Sequence, residues 1–181
     1  MHRREAIDLL ARAELPGLSA EERASVVLDY WSLDEEDSEF AQFPSALQAE
    51  MRRDFEDVDA SAPIFEPLIL RALRDGYRGV RNEYLRRRLE AQGMPEEVTG
   101  ESERMFACPC CGYLCLPDGM GWEICGVCFW EDTGTGDLDA HSGPNHMSLR
   151  EGQANFARLG AIDERALPYV LADGRERYEK A

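Results

Sequence analysis

Cys108-Pro109-Cys110-Cys111-Gly112 and, with thirteen residues between Cys111 and Cys125, Cys125-Gly126-Val127-Cys128 decide how this chain is read. The pattern C-x2-C-x13-C-x2-C places two cysteine hooks at the spacing of a tetrathiolate zinc site. Two cysteines separated by two residues can turn both sulfurs toward one point about 2.3 Å away, and a second hook closes the tetrahedron that Zn2+ accepts. Pro109 fixes φ, and Gly112 permits a left-handed turn that aims backbone amides at sulfur. With Cys108, Cys111, Cys125 and Cys128 as ligands the coordination sphere is full, so the one Zn2+ expected here is structural. Two competing readings stay open, a thioredoxin-like redox pair, which caps a helix after a strand, and a disulfide staple.

The 181 residues can hold one domain, or a medium domain beside a small metal-stapled one. No run of 18 apolar residues occurs, and Met1-His2-Arg3-Arg4-Glu5 leads into an amphipathic pattern, not an apolar signal core. The expectation is a cytoplasmic protein away from membranes, where a reducing medium keeps six cysteines as thiolates for a metal. The formal net charge is −16, distributed as −10 over residues 1–60, +3 over 61–93 and −9 over 94–181. Zn2+ on four thiolates adds a further −2. Such a field repels a phosphate backbone and attracts basic proteins, although acidity also simply keeps a small protein soluble.

Residues 1–93 read as helical. Ala6, Ile7 and Leu10 mark a first helix ending near Pro16-Gly17. Ser19 and Glu22 form a capping box opening a second over about Ala20 to Ser32, with Ala24, Val27, Leu28 and Trp31 at helical spacing. Leu47, Met51 and Phe55 stripe a third after Pro44, and Ile64, Leu68, Ile69, Ala72 and Leu73 give a buried fourth stopping at Gly76. Tyr77, Val80, Tyr84 and Leu85 stripe a fifth before Gly93. Residues 94–104 carry Pro95 and Gly100 without an apolar stripe and read as a linker. Residues 105–181 then hold the ribbon, with strands expected at Gly112–Leu116 and Gly121–Ile124 joined by Pro117-Asp118-Gly119. A Gly- and Asp-rich loop runs through Pro144, and a second capping box, Ser148 with Glu151, opens a helix ending near Gly160. The fold class expected is α+β, a mainly α amino-terminal helical bundle followed by a small zinc ribbon and a carboxy-terminal helix.

Three strings, Cys-Pro-Cys-Cys-Gly-Tyr-Leu at 108–114, Glu-Ile-Cys-Gly-Val-Cys-Phe-Trp-Glu-Asp at 123–132 and Ser-Gly-Pro-Asn-His-Met-Ser-Leu at 142–149, resemble the bacterial cysteine-rich CPCC proteins. The segments Leu28–Ser32, Asp34–Asp37 and Gly76–Val80 also look like the amino-terminal half of longer members. The resemblance implies zinc-ribbon-like hooks and, for small acidic members, candidacy as immunity proteins in toxin systems. Cys115 departs from the family string.

Several side chains have a plain reading beside a functional one. Cys110, Cys115, His141 and His146 have the ligand types for a second metal site, yet Cys110 lies inside the first hook facing away from the metal, Cys115 suits a small core position, and the histidines sit in a polar loop. Asp132, Asp137 and Asp139 lack the residue order of a calcium loop. Phe129 and Trp130 read as packing over the metal site. Arg71, Arg74, Arg78, Arg81 and Arg86-Arg87-Arg88 are expected to pair with acidic helices of the same chain or to lie solvated on the outer faces of two helices.

No nucleotide-binding, zinc-protease or serine-hydrolase motif occurs, so the chain is expected not to be an enzyme. The leading expectation is a protein that binds and neutralises a basic partner, for example a toxin, through Tyr30 and Trp31 beside Asp34, Glu35, Glu36 and Asp37. Two alternatives are a ribbon that binds nucleic acid or serves transcription, although no basic residue lies between Phe106 and Thr133, and a thiol-redox or metal-dependent enzyme.

Overall fold

The computed structural model describes residues 1–31, 33, 36–53, 58–119 and 122–181. Its helices are α1 (Arg3–Glu14), α2 (Ala20–Trp31), α3 (Ser45–Met51), α4 (Glu66–Asp75), α5 (Asn82–Ala91), α6 (Leu149–Leu159) and α7 (Gly174–Arg177). Two small antiparallel sheets accompany them, β1 (Phe106–Ala107) with β2 (Leu114–Leu116), and β3 (His141–Ser142) with β4 (Met147–Ser148). The α+β class with a helical amino-terminal half is therefore the observed one. By packing the chain forms two compact units, one of Arg4–Tyr77 and one of Met1–Arg3 with Arg78–Ala181.

The helical unit follows its sequence signals closely. Ser19 Oγ accepts from the Glu22 amide at 3.2 Å and the Glu22 carboxylate accepts from the Ser19 amide at 2.7 Å, so the expected capping box starts α2. A 3-10 turn at Leu15–Gly17 ends the first helical run where Pro16 removes a donor. Val27, Leu47, Met51, Phe65, Leu68 and Ile69 meet in one buried cluster with Phe40 and Phe43. Leu28, by contrast, faces outward. Phe55 and Ser32, expected in α3 and at the end of α2, lie outside the described residues.

The arginines of this unit pair within it, as their interspersed acids suggest. Asp8 accepts from both Arg12 and Arg74, and Arg71 pairs with Glu39 at 2.9 Å. In the other unit Arg86 pairs with Glu90 and Arg87 with Glu176.

In the second unit α5 groups with the cysteine-rich segment. Its Tyr84, Leu85 and Leu89 are buried, the Tyr84 hydroxyl donates to Asp173, and the amide of Arg81, just before it, donates to Arg177 O at 2.8 Å. Packing thus divides the chain near residue 77, whereas the helical pattern alone groups α5 with the first 93 residues. Residues 94–104, expected as a linker, carry no helix, but they are tied down. Thr99 bridges His2 in parallel, and the Arg3 amide donates to Thr99 O at 2.8 Å.

The Arg3 side chain is 1% exposed and donates to Glu103 at 2.7 Å, to Val80 O at 2.5 Å and to Asn82 Oδ1 at 3.0 Å. Partial burial pushes the Glu103 carboxyl up, but hydrogen bonds from Arg3 and from the Gly79 amide outweigh it and hold the group at about 2, below its usual 4.5. A depressed carboxylate stabilises the fold fully above about pH 4.5 and progressively less as pH falls toward 2. We expect Glu103→Gln to cost about 1 to 2 kcal/mol at neutral pH, a value discounted for the solvent exposure of Glu103. Chemical denaturation across pH should show the difference from wild type shrinking toward pH 2; a constant difference contradicts the assignment.

Candidate metal centre

The two hooks are two turns built to the same pattern. In the first, Cys108 O accepts from the Gly112 amide at 2.8 Å, and Gly112 sits at φ +76°. In the second, Cys125 O accepts from the Phe129 amide at 2.7 Å, and Phe129 takes the matching left-handed position at φ +71°. A side chain at positive φ is strained, by about 1 to 2 kcal/mol for an ordinary L residue, and the ring of Phe129 stacks on Tyr169 at 5.4 Å between centroids.

Each turn is closed by its own flanks. β1 and β2 flank the first, and the bridge Ile124–Glu131 flanks the second, with Cys125 N donating to Trp130 O at 2.8 Å. The expected hairpin between Gly112–Leu116 and Gly121–Ile124 is therefore replaced by pairing across each hook. Each hook is closed by its own backbone bond, from the Gly112 amide to Cys108 O and from the Phe129 amide to Cys125 O, and this turn brings the residues on its two sides together. Gly121 lies outside the described residues. The β3–β4 hairpin falls where the sequence reads as loop, since strands of two residues are too short to show alternation.

The turns bring the sulfurs of Cys108, Cys111, Cys125 and Cys128 within 4.8 Å of one another, and all four residues are buried. Cys108 and Cys128 stand 3.7 Å apart and Cys111 and Cys125 3.6 Å, well beyond the S–S bond of about 2.05 Å, and all six cysteines are free thiols. Neither hook caps a helix, the placement a thioredoxin-like pair uses. The amide of Val127 donates to Cys125 Sγ at 3.3 Å, a bond that favours the thiolate.

The sulfurs of the cage influence one another's ionisation. Hydrogen bonding from Cys108, then from Cys115, Cys125 and Cys128, holds the Cys111 thiol well below its ordinary value. The neighbouring sulfurs, Cys108 foremost, push Cys125 and Cys128 upward. The cage takes its first negative charge readily and resists the next, and a cation at its centre relieves that resistance. The donor set fits a metal ion that favours sulfur.

The other two cysteines border the cage. Cys115 Sγ lies 3.3 Å from Cys125 Sγ, and the Cys115 thiol is pushed up, chiefly by Cys111. Cys110 faces α6, where its sulfur is 3.4 Å from the point a Cβ on Gly152 would occupy. His141 and His146 are exposed, and among the described residues the clustered metal-ligating side chains are the four hook cysteines. Asp139 pairs with Arg150 at 2.7 Å and Asp132 accepts from the Gly134 amide at 3.0 Å, so these loop carboxylates act as turn and ion-pair partners.

Trp130 is 1% exposed and lies over Gly152 of α6, where an added Cβ would come within 2.8 Å of the indole. The expected capping box, Ser148 with Glu151, starts this helix, and Gly160 ends it at φ +89°. Tyr30 and Trp31, of the other unit, are half-buried. Tyr30 meets Phe43 edge-on and donates to Asp75, while Trp31 rests on Phe65 and donates to Arg53 O at 3.1 Å. Glu36 and Asp37 are exposed, and Asp34 and Glu35 lie outside the described residues.

Paired cysteine turns sharing four sulfurs, backed by a capped helix, define a small cysteine-cage domain with the ligands for one metal ion. Residues 106–177 match the family model described as Cysteine-rich CPCC, running from the start of β1 to the end of α7. No curated protein and no solved structure matches the chain.

Serine at Cys108, Cys111, Cys125 or Cys128 is expected to abolish stoichiometric metal, while Cys110→Ser and Cys115→Ser keep it. Metal content by native mass spectrometry checks this, and loss of metal in the Cys110 variant would reassign the ligands. Gly152→Ala should destabilise by about 1 to 3 kcal/mol through overpacking against Trp130, outweighing a gain of about 1 kcal/mol in helix propensity. Thermal unfolding of the metal-loaded variant reads the sign.

Proposed function

We propose that the cage holds one structural Zn2+ and that the chain is a non-catalytic acidic protein which binds, and thereby neutralises, a basic protein partner such as a toxin. The sulfur spacing supports zinc, because Zn–S bonds of about 2.3 Å in a tetrahedron require sulfurs about 3.8 Å apart, close to the 3.6 and 3.7 Å found. Four sulfurs fill the sphere and leave no place for substrate.

Charge carries the partner reading. Residues 4–77 hold 18 acidic and 7 basic side chains, a net −11 of the total −16. That field steers a basic partner and opposes a phosphate backbone, and Arg71, Arg74, Arg86 and Arg87 are paired with carboxylates of the same chain. Because Tyr30 and Trp31 are engaged in the helical core, the partner surface rests on the acidic rim that includes Glu36 and Asp37. Free thiols suit a reducing, cytoplasmic setting, and no helix among the described residues is long and apolar enough to cross a membrane.

The metal-loaded full chain, immobilised, should retain a basic protein from an extract of its own cell and release it as salt rises. Charge reversal at Glu36 and Asp37 should slow association, read by surface plasmon resonance with the captured protein. The same chain should not shift duplex DNA or RNA at physiological salt. A tight nucleic-acid complex, or retention indifferent to salt, contradicts the proposal.

A further inference from the structure

The helical unit carries most of the acidity, yet Arg12, Arg71 and Arg74 line one of its cavities, of about 410 Å3, whose apolar wall includes Phe43, Pro67 and Leu70. Among the described residues, no carboxylate lines that cavity. The acids that hold these arginines leave their donors incompletely used. Asp8 serves two guanidiniums, taking the Arg12 Nε at 2.7 Å and the Arg74 Nε at 2.9 Å. Arg71 donates to Glu39 and Gln42 through its terminal nitrogens, while its Nε is buried without a hydrogen-bond acceptor. The nearest carboxylate oxygen paired with that Nε, from Asp75, is 3.8 Å away, too far for a hydrogen bond.

A guanidinium has five N–H donors in a flat fork. Arg12 bonds Asp8 through Nε alone, so both of its terminal nitrogens remain for another acceptor, as does Nη1 of Arg74. The Arg71 guanidinium already lies over the Phe43 ring, at 5.8 Å from its centroid, so cationic and apolar surface adjoin. The volume falls within the range of about 300 to 1,000 Å3 common to small-molecule sites.

We propose that this cavity binds a small organic anion with a flat apolar body, an aryl carboxylate or an aryl phosphate monoester. The oxygens take the free donors of Arg12 and Arg74, and the ring lies on Phe43, Pro67 and Leu70. This site is independent of the metal cage and of the basic-partner reading.

Calorimetric titration of the metal-loaded full chain with phenyl phosphate, benzoate, inorganic phosphate and benzyl alcohol tests it. Phenyl phosphate or benzoate should bind saturably at one site, with inorganic phosphate and benzyl alcohol each at least about tenfold weaker, since each lacks one half of the recognition. Arg12→Gln, which removes only an exposed ion pair with Asp8 and so costs little stability, should weaken the aryl anion at least about fivefold, with circular dichroism confirming the fold. Arg74→Gln should do the same, with circular dichroism confirming the fold. Absence of saturable binding by both aryl anions up to about 10 mM, a level equivalent to under about 3 kcal/mol of affinity, would overturn the site, as would affinity unchanged in folded Arg12→Gln. Equal binding of inorganic phosphate would overturn the apolar half.

Discussion

Four sulfurs held against one another inside the carboxy-terminal unit are the constraint on which its geometry depends. Its strands span two or three residues each, too little ladder to hold themselves in water. The zinc proposed for the cage would supply what they lack, since structural zinc sites contribute about 10 to 16 kcal/mol of apparent binding energy against the roughly 5 to 15 kcal/mol that separates folded from unfolded domains. Thiols this crowded resist ionising together, and a cation at their centre would favour the thiolates.

Other parts of the unit are arranged around the two turns. The Tyr113 ring lies edge-on to Phe156 of α6, and the carboxy-terminal segment bridges Tyr113 through Lys180 and donates from Ala181 to Gly112 O at 2.9 Å. Leu171 donates to Gly126 O at 2.8 Å, and Ile162 to Cys128 O at 2.9 Å. Both hooks are thereby held from outside by segments that follow α6, which agrees with a family match extending to residue 177. The helical unit has a different basis, an apolar cluster of aliphatic and aromatic side chains overlaid by arginine–carboxylate pairs.

What the sequence made legible was local. Hook spacing, both capping boxes, the left-handed Gly112 and the proline and glycine stops depend on residues a few positions apart, and the structure places each where its chemistry requires. The pairing of Arg3 with Glu103 joins residues 100 apart and leaves no local trace. The two-residue strands are too short for alternation, so β3 and β4 read as loop and the sequence pairs β2 with a strand of the other hook. The assignment of α5 escaped for a similar reason: an amphipathic stripe shows that a face is buried, not against what. The apolar character of Tyr30 and Trp31 was visible, but their engagement with Phe43 and Phe65 depends on a tertiary core that periodicity does not specify.

X-ray absorption at the metal edge of protein purified with ample zinc tests the central claim most directly. A first shell of four sulfurs at about 2.3 Å with no lighter scatterer is the expected result. An oxygen or nitrogen in that shell, or protein that carries no zinc under those conditions, would contradict a sealed structural cage.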